Sequence, residues 1–333
     1  MKYTEQLNYA KQVTHASARM KSPIQPEEHL DDAIKRLALE RLTISYNSLN
    51  AGRGDWSGSI HEARKQFKEL RALVRLIRGV LGKEAYRHEN YLFRDLGRQL
   101  SPIRDRDVII EKFEWLLRRY ESQGIKDHTD ELAENLKEYL DRSQPTESQL
   151  NERLDWVLGR LDESFDRIRN WPAIPNSFNS ISEGVHRVYK KAYAYYNYCY
   201  ETPTTSNLHE WRKRTKYVRH HYEFIQDICF AETPSVIDEA HKLTEWLGSD
   251  HDMAILKAAL QSQSLPQNPS NQVSRFIAII EKERRHLQKK IFKSAEHNFA
   301  MKPGRHLDWV RERWEARQID RNASGQEAGN KLQ

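Results

Sequence analysis

Cysteine is almost missing from this chain: 333 residues contain two, Cys199 and Cys229. That excludes a disulfide framework, fits a reducing compartment and leaves both thiols as buried apolar filler. Glycine (13) and proline (11) are scarce for the length. No Asn-Gly pair stands between alternating strands, so β-hairpins have no signal either. An all-α protein is predicted. No apolar run approaches the length of a membrane span, and Met1 to Lys11 has no apolar centre of the signal-peptide kind. A soluble cytoplasmic protein without membrane insertion is expected. The Gly-rich phosphate loop, the Gly-x-Ser-x-Gly elbow and paired cysteines at metal spacing are all absent, and no cofactor is expected.

What is present is charge. Lys plus Arg number 54 and Asp plus Glu 48, for a net charge of only +6. Hydrophobic residues make up 38% and the mean hydropathy is −0.88. Leu, Trp, Tyr and Phe nevertheless recur at helical spacing, so long amphipathic helices with wide polar faces explain the low figure better than disorder does. The length suits two domains or one duplicated domain with a sizeable core.

The duplication is visible. Ile60-His61-Glu62-Ala63-Arg64-Lys65-Gln66-Phe67-Lys68-Glu69-Leu70-Arg71 returns as Leu208-His209-Glu210-Trp211-Arg212-Lys213-Arg214-Thr215-Lys216-Tyr217-Val218-Arg219. Both read apolar-His-Glu-x-Arg-Lys-x-x-Lys-x-apolar-Arg. At about 100° per residue, His61, Arg64, Lys65, Lys68 and Arg71 share an arc of roughly 120°. Arg75 and Arg78 continue that face, while Ala63, Phe67, Leu70, Val74, Ile77 and Leu81 gather opposite. In the second copy His209, Arg212, Lys213, Lys216 and Arg219 lie together, against Trp211, Val218, Tyr222 and Ile225. A single charged helix face is usually just solvated. Solvated faces mix signs, however, because like neighbours repel, and two one-sign stripes point to a polyanionic ligand. A third basic element is Arg187, Lys190 and Lys191, at i, i+3, i+4. Its loose counterpart in the first half is Lys35-Arg36.

The elements follow from caps and breakers. Pro23 and Pro26 close a weakly patterned arm. Pro26-Glu27-Glu28 opens a helix to about Asn50. Ser57 or Ser59 caps the first signature helix, which ends near Gly79 or Gly82. A helix through Leu92 and Leu96 breaks at Ser101-Pro102, and the next starts near Asp105. Helices over 127–142 and 149–170 precede a midpoint break at Trp171 to Pro175. The second half holds a helix over 180–200 and the second signature helix, capped by Asn207. A helix through Leu243 and Leu247 then stops at Gly248, another opens at Asp250, and the last two cover 271–297 and 305–316. The tail from about Arg321 is polar and frayed.

Asp105-Arg106-Asp107 and Asp250-His251-Asp252 take corresponding places. They are either a paired-carboxylate metal site or, in the favoured reading, helix N-terminal anions aimed at the cation stripes to fix their rotamers. His61-Glu62 and His209-Glu210 resemble a zinc helix, but the i+4 positions hold Lys65 and Lys213, which would repel a metal. Each His is an anion donor, a satisfied structural group or a phospho-acceptor. Glu281 and Glu283 point about 200° apart on a helix and cannot chelate together. Tyr193, Tyr195, Tyr196, Tyr198 and Tyr200 are either stacking platforms for bases or core tyrosines with their hydroxyls at the rim.

These residues resemble the CHAD domain, the conserved-histidine α-helical domain. The two His-x-x-Arg-Lys-x-x-Lys-x-x-Arg helices carry the likeness. Arg104-Asp105-Arg106-Asp107-Val108, the degenerate Ser249-Asp250-His251-Asp252-Met253 and Gly184 to Lys191 support it. The likeness spans about residues 28–315, in halves 28–170 and 178–315, with 1–27 as an arm and 316–333 as a tail. It implies an all-α fold of two four-helix-bundle-like repeats related by an approximate two-fold, around a central basic groove or pore. It also implies binding of inorganic polyphosphate and association with polyphosphate granules. The second Asp motif departs from the pattern in having Ser249 where an Arg is expected.

A non-enzymatic polyphosphate binder is therefore expected. The ligand would contact His61, Arg64, Lys65, Lys68, Arg71, Arg75, His209, Arg212, Lys213, Lys216, Arg219, Arg187, Lys190, Lys191, Lys35 and Arg36, with Arg as bidentate clamps and Lys as point charges. The alternatives are a metal-dependent phosphotransferase or phosphohydrolase using His61 or His209 with Asp105 and Asp107, and a nucleic-acid binder using the tyrosines.

Overall fold

The computed structural model describes residues 23–52, 56–120, 129–262 and 270–330. The arm before residue 23 lies outside them. They form eleven helices and no strand. The first half holds α1 (Leu30–Ala51), α2 (Trp56–Leu76), α3 (Arg78–Gln99), α4 (Ser101–Arg119), α5 (Thr129–Asp141) and α6 (Glu147–Arg169). The second holds α7 (Asn179–Glu201), α8 (Thr205–Cys229), α9 (Ser235–Leu260), α10 (Ser270–Asn298) and α11 (Pro303–Asn330).

The two signature stretches are α2 and α8, and their apolar faces are buried as the periodicity demands. Ala63, Phe67, Leu70, Val74 and Ile77 are at most 1% exposed, and Trp211 is wholly enclosed. α1 to α3 pack with α6 to α8 and α11 around one large core. Ile24 joins it, its amide donating to the Phe224 carbonyl at 2.8 Å. A second, smaller core is built from α4, α5, the end of α9 and the start of α10. It brings Phe113 and Phe276 into a stack at 5.1 Å, so the two halves of the chain also meet away from the signature helices. Gly184 on α7 permits a close backbone approach in the large core: a Cβ there would fall on the carbonyl oxygens of Arg75 and Leu76 at the end of α2.

Several boundaries differ from the sequence expectations, each for a local reason. α2 stops at Leu76, and α3 is interrupted at Gly82, whose φ of 75° is open to glycine. Ser57 does not cap α2 but donates to Asp107 on α4. Pro102 does not delay α4. It sits in the first turn, where no amide hydrogen is needed, so Asp105 and Asp107 lie inside the helix and not at its cap. Gly248 and Ser249 do not break α9, which runs on through Asp250. Burial of Leu243, Leu247 and Met253 along one side of α9 outweighs the roughly 1 kcal/mol that a mid-helix glycine costs. Thr204, not Asn207, caps α8 by accepting from the Asn207 amide at 3.2 Å. No proline follows Pro303, and α11 continues to Asn330 where an end near residue 316 was expected.

Candidate functional site

α2 and α8 cross in the core. The pin is His221, which donates from Nε2 to the Ala72 carbonyl at 3.0 Å. Burial pushes its pKa down to about 3, so the ring is neutral. Above the crossing the two cationic faces diverge and, with α3, line a cleft of about 550 Å3. Seven arginines and three lysines line it, with Glu210 the one acidic residue. That excess of one sign sets its electrostatics.

From α2 come Arg64, Lys68, Arg71 and Arg75. Arg64 is braced by α3 and α4: it donates to the Gly97 carbonyl at 3.0 Å and to Ser101 Oγ at 2.5 Å, and Asp105 stands 3.6 Å away. Arg71 donates from Nε to Asn90 at 3.2 Å. Arg75 donates to the Arg71 carbonyl at 2.9 Å and lies 4.1 Å over the Tyr217 ring. Lys68 makes no ion pair among the described residues. Its side chain opens to the cleft's solvent but is walled by protein. Burial, then Arg64 and Arg212, push its pKa down to about 8.

From α8 come His209, Arg212, Lys213 and Lys216. Lys213 is held by Glu210 at 2.6 Å. Arg212 and Lys216 make no ion pair among the described residues, and the Arg212 Nε is buried without a partner. Lys216 is driven well below its ordinary value by burial, then by Arg212 and Lys68. Three cations from two helices are thus crowded together with no carboxylate in ion-pair contact, Asp105 and Asp252 acting on them only from further away. Proteins do not arrange this for stability, since each such charge loses water without gaining a partner.

His209 Nδ1 meets His251 Nδ1 at 3.0 Å. One ring must donate and the other accept, so at least one is neutral. Burial, then Arg212, hold His251 at about 3. The first Asp motif reaches its stripe through Asp105, as expected. In the second motif Asp250 turns away, accepting from Arg284 at 3.1 Å and Gln288 at 2.9 Å. Asp252 is the residue whose charge acts on Arg212 and Lys216.

A smaller cavity of about 50 Å3 adjoins the cleft, and Arg75, Arg214 and Tyr217 line both. It brings in Arg78, Arg187 and Lys191. Of the other expected contacts, His61 is exposed one turn before Arg64, and Lys65 lies 3.9 Å from Glu62. Arg219 is engaged by Glu223 and Thr244, both at 3.1 Å. Lys190 is exposed and lines neither cavity. Lys35 pairs with Asp31 at 3.0 Å, and Arg36 with Glu28 at 2.7 Å and Glu40 at 3.0 Å. These two also line neither cavity.

Arg94, Arg98 and Arg214 line the cleft without belonging to the expected set. Arg94 and Arg98 are spaced i, i+4 on α3, a signal too common to single out; only the docking of α3 against α2 gives it meaning. Tyr193, Tyr195 and Tyr196 pack on the core, and Tyr198 and Tyr200 are exposed outside the cleft. Glu281 serves Lys257 at 2.7 Å. Among the described residues no three His, Cys, Asp or Glu side chains gather as a metal site, and no helix is long and apolar enough to cross a membrane.

The family profile that matches the chain is that of the CHAD domain, over residues 17–261. The match stops at the end of α9. The fold is similar to the crystal structure of the CHAD domain from the plant Ricinus communis, with a TM-score of 0.51 and 17% identity, covering 88% of this chain and 94% of that one. No curated protein sequence matches significantly. The profile spans most of the chain and includes both signature helices, and the protein belongs to the CHAD domain family.

Proposed function

We propose that the cleft binds inorganic polyphosphate without turning it over. The observation that carries this reading is the crowding of Lys68, Arg212 and Lys216, none of which makes an ion pair among the described residues, with only the more distant charges of Asp105 and Asp252 to offset them. A flexible polyanion supplies the missing counter-charge along its whole length, and needs neither base-edge readers nor a stacking platform. Arginines braced at their backs, as Arg64 and Arg71 are, present the rest of their guanidinium edge to it. In this reading residues 28–170 and 178–315 are two copies of one helical unit related by an approximate two-fold. The protein would act in the cytoplasm, in contact with polyphosphate granules.

Nucleic acid fits less well, because the exposed tyrosines are not in the cleft. A phosphohydrolase would draw on His209, which lines the cleft. Its expected carboxylates are already engaged, Asp105 near Arg64 and Asp107 with Ser57. The test is a competition between long-chain polyphosphate and single- or double-stranded nucleic acid at fixed salt. Preference for either nucleic acid would overturn the proposal.

A further inference from the structure

A separate cavity of about 230 Å3 opens between α4, α9 and α10, and shares no lining residue with the cleft. α4 turns Lys112, Trp115 and Arg119 into it, at i, i+3 and i+7 on one face. The Lys112 ammonium and the Arg119 guanidinium each lie 5.2 Å from the centre of the Trp115 ring. α10 adds His286 and Lys290, one turn apart. The carboxylate in the wall, Glu283, is buried and already committed: it accepts from Arg119 Nε at 3.0 Å and from the Tyr120 hydroxyl. Lys112 and Lys290 make no ion pair among the described residues. Met253 and Leu287 supply an apolar wall.

We infer that this cavity binds a small phosphate ester with a planar apolar body. The two lysines, lacking carboxylates, face one space and call for an anion of more than one charge. Indole, thioether and leucine beside them lower the local dielectric and strengthen that attraction. At about 30 Å3 per liquid water, the space holds roughly eight waters, more than one phosphate group displaces. The apolar wall accounts for the remainder, since inorganic phosphate would leave it wet. The site draws on both halves of the chain, α4 from one and α9 with α10 from the other. It is independent of the polyphosphate reading.

Titration calorimetry on the full chain at fixed salt, with AMP, inorganic phosphate and adenosine as probes, tests the inference. AMP should bind saturably at one site, about tenfold or more tighter than either fragment, since phosphate lacks the apolar contact and adenosine the charge-assisted ones. Lys112→Met with Lys290→Met should weaken AMP by a similar factor, whereas Arg64→Glu with Lys68→Glu should leave it unchanged. Ser249→Phe, which fills the cavity from α9, should abolish AMP binding and carries the test if the double variant loses its fold. Failure of AMP to saturate overturns the inference. So does phosphate binding as tightly as AMP, or a loss of AMP binding confined to the cleft variant.

Discussion

Binding of polyphosphate should draw protons onto the protein, and Lys68 is where this is most open to measurement. In the free protein its pKa is about 8, against an ordinary value of 10.5, because burial and the facing Arg64 and Arg212 penalise its charge. A polyanion in the cleft reverses that penalty and restores the ammonium. Lys68 is then about half protonated at pH 8 before binding and fully protonated after, an uptake of about half a proton from this residue alone. The direction of the pH effect follows. Below pH 8 both states are charged and Lys68 adds no pH dependence. Above it, affinity falls about tenfold per pH unit until the bound-state pKa is reached. Between pH 7 and pH 9 the loss reaches about tenfold at most, and less to the extent that solvent in the cleft screens the exposed part of the Lys68 side chain. Lys216, driven down by the same surroundings, adds to it. The assay is calorimetry at pH 8 in buffers of different ionisation enthalpy and constant ionic strength, repeated with Lys68→Arg. The guanidinium does not titrate in this range, so that variant should bind with a shallower pH slope. Equal affinity at pH 7 and pH 9, or the same slope in Lys68→Arg, would refute the reasoning.

Arg64→Glu with Lys68→Glu should weaken polyphosphate binding far more than Lys137→Glu with Arg142→Glu, two exposed cations outside the cleft, one on α5 and one in the turn that follows it. Binding should also fall steeply with salt, as counterion release requires; equal losses at both places would mean that bulk charge holds the ligand. Incubation with magnesium or manganese should leave polyphosphate length unchanged on a gel, and phosphate release that disappears in His209→Ala would establish catalysis instead. Lys68→Met should raise the melting temperature of the free protein at pH 7. The folded-state pKa of Lys68 is depressed, so its penalty is fully present below pH 8 and is relieved as the pH rises towards 10.5; a drop in melting temperature would contradict this. Gly184→Val should destabilise the fold by about 3 kcal/mol or more in denaturant melts, because the added atoms meet backbone carbonyls that cannot repack.

The all-helical fold and the two signature helices could be read from the chain alone. Scarce Gly and Pro, the 3.6-residue period and the repeated motif are local properties, and burial of Phe67, Leu70, Trp211 and Val218 follows from them. Half of the cleft could be read as well, since Arg64, Lys68, Arg71 and Arg75 share a face by helical geometry, as do Arg212 and Lys216. Tertiary structure decided which cations face one another across the cleft, while several others are withdrawn by carboxylates of their own helix. Lys35 and Arg36 looked like stripe residues, but Asp31, Glu28 and Glu40 hold them. Arg219 continues the second stripe, yet Glu223 and Thr244 take it. Arg94 and Arg98 enter the cleft only because α3 docks against α2. Asp250 and Asp252 are two residues apart and so face different neighbours, which sends one to Arg284 and leaves the other near Arg212. The pairs that hold Lys35, Arg36 and Arg219 are largely same-helix i, i+4 contacts that the spacing already offered, whereas the entry of α3 into the cleft and the bond from Asp250 to Arg284 depend on distances between elements far apart in sequence, which no periodicity encodes. The depressed charge of Lys68 has the same origin: it takes Arg212, 144 positions further along the chain, to crowd it across the cleft.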